Sequence, residues 1–285
     1  MRKRVFILLA ITAGVLPFFG FIKPTEEAPV DVPIVMYHSV TNINCNDYAL
    51  SPEKLRADLD YLSAHGYRTV FIRDVVAYVE GKGDLPEKPI VLSFDDGFYN
   101  NYSSVLPILN EYDAVAVFCL VGKYAAKEQG VTKRSKSYSY MNLDEVRAMN
   151  ESGRAEFGNH TFDMHSYKNG RKGVRKNKNE SEEEYRKAIS DDARRNEDLF
   201  SQAGIKFGLY AYPYGFYSKE TPGILSSLGY KAILTCTGGI NRIRRGDKSA
   251  LLHLKRYNRP SKYTSEYFFK NVFKLDDAPA KKACA

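Results

Sequence analysis

Two acidic residues stand side by side where an apolar run ends, in the segment Ser93-Phe94-Asp95-Asp96-Gly97. A buried carboxylate is costly unless it is paired with a cation or bound to a metal. Because neighbours on a strand point in different directions, the two acids need different partners. The pattern therefore favours one acid as a metal ligand and the other as a base, although Asp-Asp-Gly is also good turn chemistry. It is less typical of a glycosidase, whose two carboxylates face each other across a sugar.

Two histidines, His160 and His165, follow a Gly158-Asn159 pair. Side chains five positions apart share no face of a helix or strand, so a common metal requires a tight loop. Two imidazoles and one carboxylate form an open metal site that leaves positions for water and substrate. The alternative is that these are two unrelated surface histidines.

The order of the elements predicts where these residues lie. Apolar runs predict strands over residues 33–37, 90–94, 114–121, 207–212, 231–235 and 251–257. Helices are predicted from Ser51 to Gly66, around 104–112, from Asn142, from Ser181 to Gly204, near 219–228 and over 264–273. Strands alternating with helices predict an α/β fold with a barrel-like or doubly wound parallel sheet. In such folds the chemistry lies at the C-terminal ends of the strands, where His38, Asp95 and His160 all fall.

The pattern resembles the polysaccharide deacetylases, the NodB-homology group also called carbohydrate esterase family four. Residues 93–97 are similar to the first motif of that family, and His160-Thr161 with His165 to the second. Tyr212-Pro213-Tyr214-Gly215 is similar to the third. The resemblance extends roughly from Val32 to Phe273 and is closest to the exopolysaccharide and peptidoglycan deacetylase-like members. It implies a distorted (β/α) barrel of the NodB-homology type.

The resemblance also implies a function. A member would be a metal-dependent hydrolase that removes N-acetyl groups from a cell-wall or surface glycan of the N-acetylglucosamine type and releases acetate. Asp96, His160 and His165 would hold a divalent metal, most often Zn²⁺. Asp95 would be the catalytic base, and the backbone N–H of Tyr214 would help to stabilise the oxyanion. The alternatives are an O-acetyl ester deacetylase and a non-catalytic, anchored glycan-binding protein.

The general acid in many members is a histidine that ends a late apolar strand. Here the late run Leu251-Leu252-His253-Leu254 is a poor copy of that pattern. The run Ile34-Val35-Met36-Tyr37-His38 has the better shape, and some exopolysaccharide deacetylases resemble a permuted version with this strand first. His38 is therefore the expected general acid, with His253 as the alternative and a structural role for His38 as the third interpretation.

One position departs from the family pattern. The third motif usually carries an arginine that contacts the catalytic aspartate, and Ala211 occupies that position here. The departure leaves open what orients Asp95 and keeps it ionised. Arg256 or Arg259, from a neighbouring strand, would be able to substitute.

The N-terminus predicts export. Residues 1–4 (MRKR) are basic, and Val5 to Ile22 is almost wholly apolar and uncharged. This pattern predicts an uncleaved signal-anchor, with a cleaved signal peptide as the alternative, followed by a stalk up to residue 30. A deacetylase domain would then span residues 31–275 and a tail residues 276–285. The protein is expected outside the cytoplasm, membrane-anchored or secreted, in a bacterial cell envelope.

The net charge of the chain indicates which classes of binding partner to expect. The formal net charge is +8, which favours anionic wall polymers or a membrane surface. No nucleic-acid-binding module is recognisable, so nucleic acid is not an expected partner. The expected substrate is peptidoglycan or poly-N-acetylglucosamine.

Residues 167–180 are rich in lysine and arginine and directly follow His165, so they are either a solvated loop or a border that attracts an anionic glycan. The aromatic side chains of Tyr214, Phe216 and Tyr217 would either line the groove or pack as ordinary core.

Overall fold

The computed structural model describes residues 28–167 and 170–275. The apolar segment predicted to be a signal-anchor and the predicted tail, residues 276–285, lie outside the described residues. In the part of the chain that is described, no helix combines the length and apolar character needed to cross a membrane.

The strands follow one another closely along the chain. In chain order they are β1 (Val30–Val32), β2 (Ile34–Tyr37), β3 (Ser39–Val40), β4 (Ala49–Leu50), β5 (Arg68–Thr69), β6 (Pro89–Phe94), β7 (Ala116–Leu120), β8 (Ala155–Asn159), β9 (Leu209–Ala211), β10 (Ala232–Leu234), β11 (Asn241–Ile243) and β12 (Tyr257–Asn258). The main sheet has eight strands in the order β10-β9-β8-β7-β6-β2-β12, with β5 paired to β6. Every pairing in this sheet is parallel, which confirms the predicted parallel β/α architecture.

Helices connect most of these strands. They are α1 (Pro52–Ala64), α2 (Ile72–Val79), α3 (Leu106–Glu111), α4 (Gly122–Lys127), α5 (Leu143–Glu151), α6 (Glu182–Ser201), α7 (Thr221–Ser227) and α8 (Ser265–Tyr267). The side chains of Ser51, Asn142 and Ser181 cap α1, α5 and α6, each accepting a hydrogen bond from a backbone N–H three residues later. Capping boxes are present at Asn142 and Ser181, where helices were predicted to begin.

Both faces of the sheet are buried. In β6, Ile90, Leu92 and Phe94 belong to one hydrophobic cluster, whereas Val91 belongs to a second. Strand β7 alternates in the same way. The period of two follows from strand geometry, and burial on both faces explains why the strands are apolar throughout instead of alternating with polar residues.

The register brings the polar strand ends together. Tyr37 pairs with Phe94, Leu120 with Asn159, and Asn159 with Tyr210. The residues that follow these strands, among them His38, Asp95 and His160, therefore emerge along one edge of the sheet.

The predicted strand over residues 251–257 is wrong. Residues Ala250–His253 form a short 3₁₀ turn, and only Tyr257–Asn258 is a strand. The Asp247 side chain accepts a hydrogen bond from the backbone N–H of Ala250, the first residue of this turn. Leu251 and Leu254 are both buried three residues apart, a spacing that suits a 3₁₀ turn and that an apolar run does not distinguish from a strand.

Candidate active site

Three side chains with metal-ligating atoms converge at this edge of the sheet. The ligand atoms of Asp96, His160 and His165 all lie within 4.8 Å of one another. Oδ1 of Asp96 is 3.7 Å from Nε2 of His160 and 3.1 Å from Nε2 of His165. The two histidines, five residues apart, thus reach one point, as a shared site requires.

Backbone turns in the left-handed region aim these side chains. Asp96 has a φ of 75° and Thr161 a φ of 74°. An aspartate adopts this conformation at modest cost, whereas a β-branched threonine does so only where the surrounding structure holds it. The N–H of Thr161 donates to the Asn159 side chain, and this contact holds the turn that separates His160 from His165.

His160 is held as a neutral imidazole. It is almost wholly buried, and its Nδ1 lies 2.9 Å from the carbonyl oxygen of Ala211, to which Nδ1–H donates. Burial lowers the pKa of His160 to about 4, although the nearby Asp95 and Asp96 oppose this shift. The lone pair of Nε2 therefore faces Asp96, a tautomer that a hydrogen bond on the other ring nitrogen typically fixes in metal-binding histidines.

His165 has a different environment. Burial alone would lower its pKa, but the neighbouring Asp96 outweighs burial and raises the pKa above its ordinary value. Its Nδ1 lies 3.0 Å from the hydroxyl of Tyr214. When Nδ1–H donates to that hydroxyl, the lone pair of Nε2 faces Asp96.

These residues fit a divalent metal. Oδ1 of Asp96 is buried, and no described residue forms a hydrogen bond with it, even though two imidazole nitrogens are near. A buried anionic oxygen without a proton donor is costly, and two imidazoles with one carboxylate are a donor set that binds zinc and leaves an open position.

Asp95 lies beside this triad but has a different partner. Its carboxylate accepts two hydrogen bonds from Arg256, at 2.7 Å to Oδ1 and 2.9 Å to Oδ2. The side chain is 3% exposed, and Oδ2 lies 4.0 Å from Nε2 of His160. Burial would raise the pKa of Asp95, but Arg256, with His160 and His38, more than offsets burial and holds the pKa below its usual range.

Arg256 occupies the role left open by Ala211. Its guanidinium is fully buried, with Nε donating to the carbonyl of Thr235 and Nη1 also 3.2 Å from the Ser93 hydroxyl. Arg259, the other arginine considered, does not contact Asp95. It instead forms a buried ion pair with Asp58. The Asp58 carboxylate also accepts a hydrogen bond from the hydroxyl of Tyr37, the residue that precedes His38 in the chain.

His38 follows β2 at the position next to Asp95, since the N–H of Asp95 donates to the carbonyl of Tyr37. Its backbone carbonyl accepts a hydrogen bond from the Asn101 side chain, and its ring meets Tyr48 edge-on at 5.1 Å. No described residue pairs with its buried Nδ1. His253, by contrast, is exposed on the 3₁₀ turn, with its ring 6.3 Å from that of Tyr217.

The third motif forms a tight turn at the rim. Tyr214 has a φ of 57°, and no described residue accepts a hydrogen bond from its backbone N–H. Gly215 has a φ of 73°, and a Cβ there would lie 2.8 Å from Cβ of Cys236. The turn therefore requires glycine at position 215 and leaves the N–H of Tyr214 available.

Aromatic rings surround His165. The Tyr214 ring lies 4.4 Å from His165, and the Tyr124 ring lies 6.1 Å from it and 4.4 Å from Tyr140. Sequence reasoning did not identify Tyr124 or Tyr140. The available signal was that Tyr124 follows β7 at the same edge of the sheet. Tyr217 instead stacks on the buried Tyr212 at 4.4 Å.

Comparisons with known proteins agree with this fold. The chain superimposes on the structure of IcaB from Ammonifex degensii with a TM-score of 0.68 and 23% identity, covering 87% of this chain and 99% of that one. It is 24% identical to YxkH of Bacillus subtilis (strain 168) over 75% of this chain and 67% of that protein.

A third relative is the poly-β-1,6-N-acetyl-D-glucosamine N-deacetylase of Escherichia coli (strain K12), at 29% identity over 65% of this chain. The match covers only 30% of the length of that enzyme. The family model described as polysaccharide deacetylase matches residues 82–233, which include both Asp95-Asp96 and the two histidines. The chain therefore belongs to the polysaccharide deacetylase family.

Proposed function

We propose that this protein is a metal-dependent N-deacetylase of an N-acetylglucosamine-type polysaccharide in a bacterial cell envelope. The proposal rests on one observation. The ligand atoms of Asp96, His160 and His165 converge at one point, and the aspartate beside them is held ionised by Arg256. A metal site next to a separate, buried carboxylate base is the arrangement that hydrolysis of an unactivated amide needs.

Asp96, His160 and His165 would hold the metal, which the two imidazoles and one carboxylate favour as Zn²⁺. When bound there, such a cation supplies Lewis acidity toward the acetyl carbonyl and acidifies water. His160 contributes a neutral imidazole because the carbonyl of Ala211 fixes its tautomer.

Asp95 is the base in this proposal. It accepts a proton from the attacking water, and its low pKa keeps it ionised at neutral pH. Arg256 holds both carboxylate oxygens by hydrogen bonds, so the carboxylate does not rotate away from the site. Each oxygen keeps a second lone pair for the proton.

Tyr214 and His38 complete the reaction. The free backbone N–H of Tyr214 would donate to the oxyanion, which is the acetyl carbonyl oxygen after water has added to the carbonyl carbon. His38, next to Asp95 on the adjoining strand end, would protonate the departing amine, because an amine anion is too basic to leave. His253 is the alternative acid, and its exposed position on a 3₁₀ turn favours it less.

We assign the catalytic domain to residues 31–275 and place it outside the cytoplasm, held by the N-terminal segment or secreted. The substrate would be poly-N-acetylglucosamine, on which the named E. coli relative acts, or peptidoglycan. The non-catalytic alternative depended on the missing arginine at Ala211, and the contact between Arg256 and Asp95 removes that reason. An O-acetyl ester substrate is the other outcome of the test.

The test is acetate release by the full-length protein from N-acetylglucosamine oligomers, from peptidoglycan and from O-acetylated xylan, with Zn²⁺ and with a chelator. We expect chelator-sensitive release from at least one of the two N-acetylated glycans. Release of acetate from the xylan alone would show that the substrate is an O-acetyl ester and not an N-acetyl amide. Metal-bound, folded protein that releases no acetate from any of them would contradict the proposal.

A further inference from the structure

The basic segment after His165 is attached to the active-site wall. The N–H of Gly173 donates to the carbonyl of Ser166, and the N–H of Val174 donates to the carbonyl of Phe216. A Cβ on Gly173 would lie 2.6 Å from the carbonyl oxygen of Pro213. Residues 173 and 174 therefore pack directly on the third-motif turn, and this part of the segment is not a freely solvated loop.

An aromatic surface leads outward from the metal ligands at this point. The Tyr167 ring lies 4.6 Å from that of Tyr214 and 6.2 Å from that of Phe216. Tyr167 is 56% exposed and Tyr214 40% exposed, although both are large aromatic side chains. Since the Tyr214 hydroxyl also contacts His165, this surface begins at the metal site itself. Exposed aromatic faces suit the apolar faces of sugar rings.

One cation, Arg175, borders this aromatic surface, and the backbone N–H of Arg175 donates to the carbonyl of Lys172 in the same turn. The guanidinium of Arg175 lies over the Phe216 ring, 5.0 Å from its centroid, and Lys172 is exposed close by in the chain. No carboxylate of a described residue forms an ion pair with either of them. The neighbouring Arg171, in contrast, is paired with Glu180, and Lys123 with Asp163. Glu180 is therefore already paired with Arg171, whereas Lys172 and Arg175 have no carboxylate partner among the described residues.

We propose that Tyr167, Lys172, Arg175 and Phe216, here called the cationic rim, bind an anionic group on the sugar unit next to the one that is deacetylated. The inference rests on the proposed function and specifies its substrate class: a glycan that carries carboxylates or phosphates between its N-acetylated units. A neutral N-acetylglucosamine polymer offers the two cations hydrogen-bond acceptors but no negative charge, and its deacetylated units carry ammonium groups that the rim repels.

The test compares a neutral and an anionic substrate in the full-length protein. The neutral substrate is an N-acetylglucosamine pentamer. The carboxylate arm is a peptidoglycan glycan strand that keeps its peptide carboxylates, and the phosphate arm is a wall glycan that carries phosphodiesters. The variant is Lys172→Gln with Arg175→Gln. The matched control is Arg194→Gln with Lys206→Gln, two exposed cations on α6 and before β9 that are not placed in the rim.

We expect kcat/KM of the rim variant on one anionic substrate to fall about 5- to 10-fold, mainly through KM, with a several-fold smaller loss on the pentamer. The dependence of kcat/KM on salt should flatten in the same variant, because screening acts on the charges that were removed. The arm that shows the loss identifies carboxylate or phosphate as the anion. The control should behave as the wild type on every substrate.

Equal losses on neutral and anionic substrates, or no loss on either anionic arm, would overturn the cationic rim. Failure of the proposed function has a different signature, namely no acetate from any substrate with the wild type. In that event, calorimetric binding of the same glycans decides the inference. Weaker binding of an anionic glycan by the rim variant than by the control supports it, and equal binding rejects it.

Discussion

Asp95 and Asp96 are adjacent in the chain but lie in opposite environments. Asp95 is closed in, with both oxygens bound by a fully buried arginine. Asp96 is partly open, and its Oδ1 faces two imidazole nitrogens without a hydrogen bond. A change of backbone direction at the end of β6 is enough to separate them, because Asp96 already has a φ of 75°.

The difference assigns a separate task to each carboxylate. A cation that is part of the protein compensates Asp95, so its charge does not depend on a bound ion. Asp96 has no permanent cation beside it, only the titratable imidazoles of His160 and His165, and its charge is best balanced by a metal.

The largest effect is expected at Arg256. Arg256→Leu leaves a buried, uncompensated carboxylate at Asp95 and should lower the free energy of unfolding by about 3–5 kcal/mol, measured by denaturant titration at neutral pH. The control is Arg56→Leu, which removes an exposed arginine pair with Glu111 and should cost at most about 1 kcal/mol. Adding Asp95→Leu to Arg256→Leu should recover part of the loss. Equal losses in the free energy of unfolding for Arg256→Leu and Arg56→Leu would show that the Asp95 carboxylate does not depend on a buried cation.

The second prediction concerns metal affinity and pH. The pKa of His160 is about 4, whereas that of His165 is raised above its ordinary value of 6.5. Between these values only His165 carries a proton that the metal must displace. The affinity for Zn²⁺ should therefore fall about tenfold for each pH unit as the pH drops from about 6 to about 4.5.

Calorimetry in buffers of different ionisation enthalpy measures this proton directly. One proton should be released per metal bound in that range. Two protons would mean that His160 is also charged and that the hydrogen bond to Ala211 does not hold it neutral.

The smallest effect is expected at Tyr214. Tyr214→Phe removes the hydroxyl that contacts Nδ1 of His165 while keeping the ring and the backbone N–H. Loss of a partner behind a metal ligand costs about 10- to 100-fold in affinity, and the exposed position of Tyr214 favours about tenfold. Competition with a metal-binding dye gives the value. No change in affinity would show that the hydroxyl does not orient His165.

Sequence reasoning located Asp95, Asp96 and His160 because they come directly after strands, and His165 because it lies in the loop that follows His160; both are local signals. It left Arg256 and Arg259 as alternatives because Arg256 reaches Asp95 from 161 residues further along the chain. The choice depends on the path of the chain after β10. That path was predicted wrongly, since Ala250–His253 form a 3₁₀ turn instead of a strand. Non-local contacts such as these are set by packing, which the apolar pattern does not encode.

The separation of the two carboxylates is tested most directly by metal content and acetate release in Asp95→Asn and Asp96→Asn, each compared with the wild type. Circular dichroism first establishes that both variants are folded. We predict that Asp95→Asn retains one metal ion per chain and loses turnover, whereas Asp96→Asn loses both. Loss of metal from Asp95→Asn, with Asp96→Asn still binding it, would contradict the account.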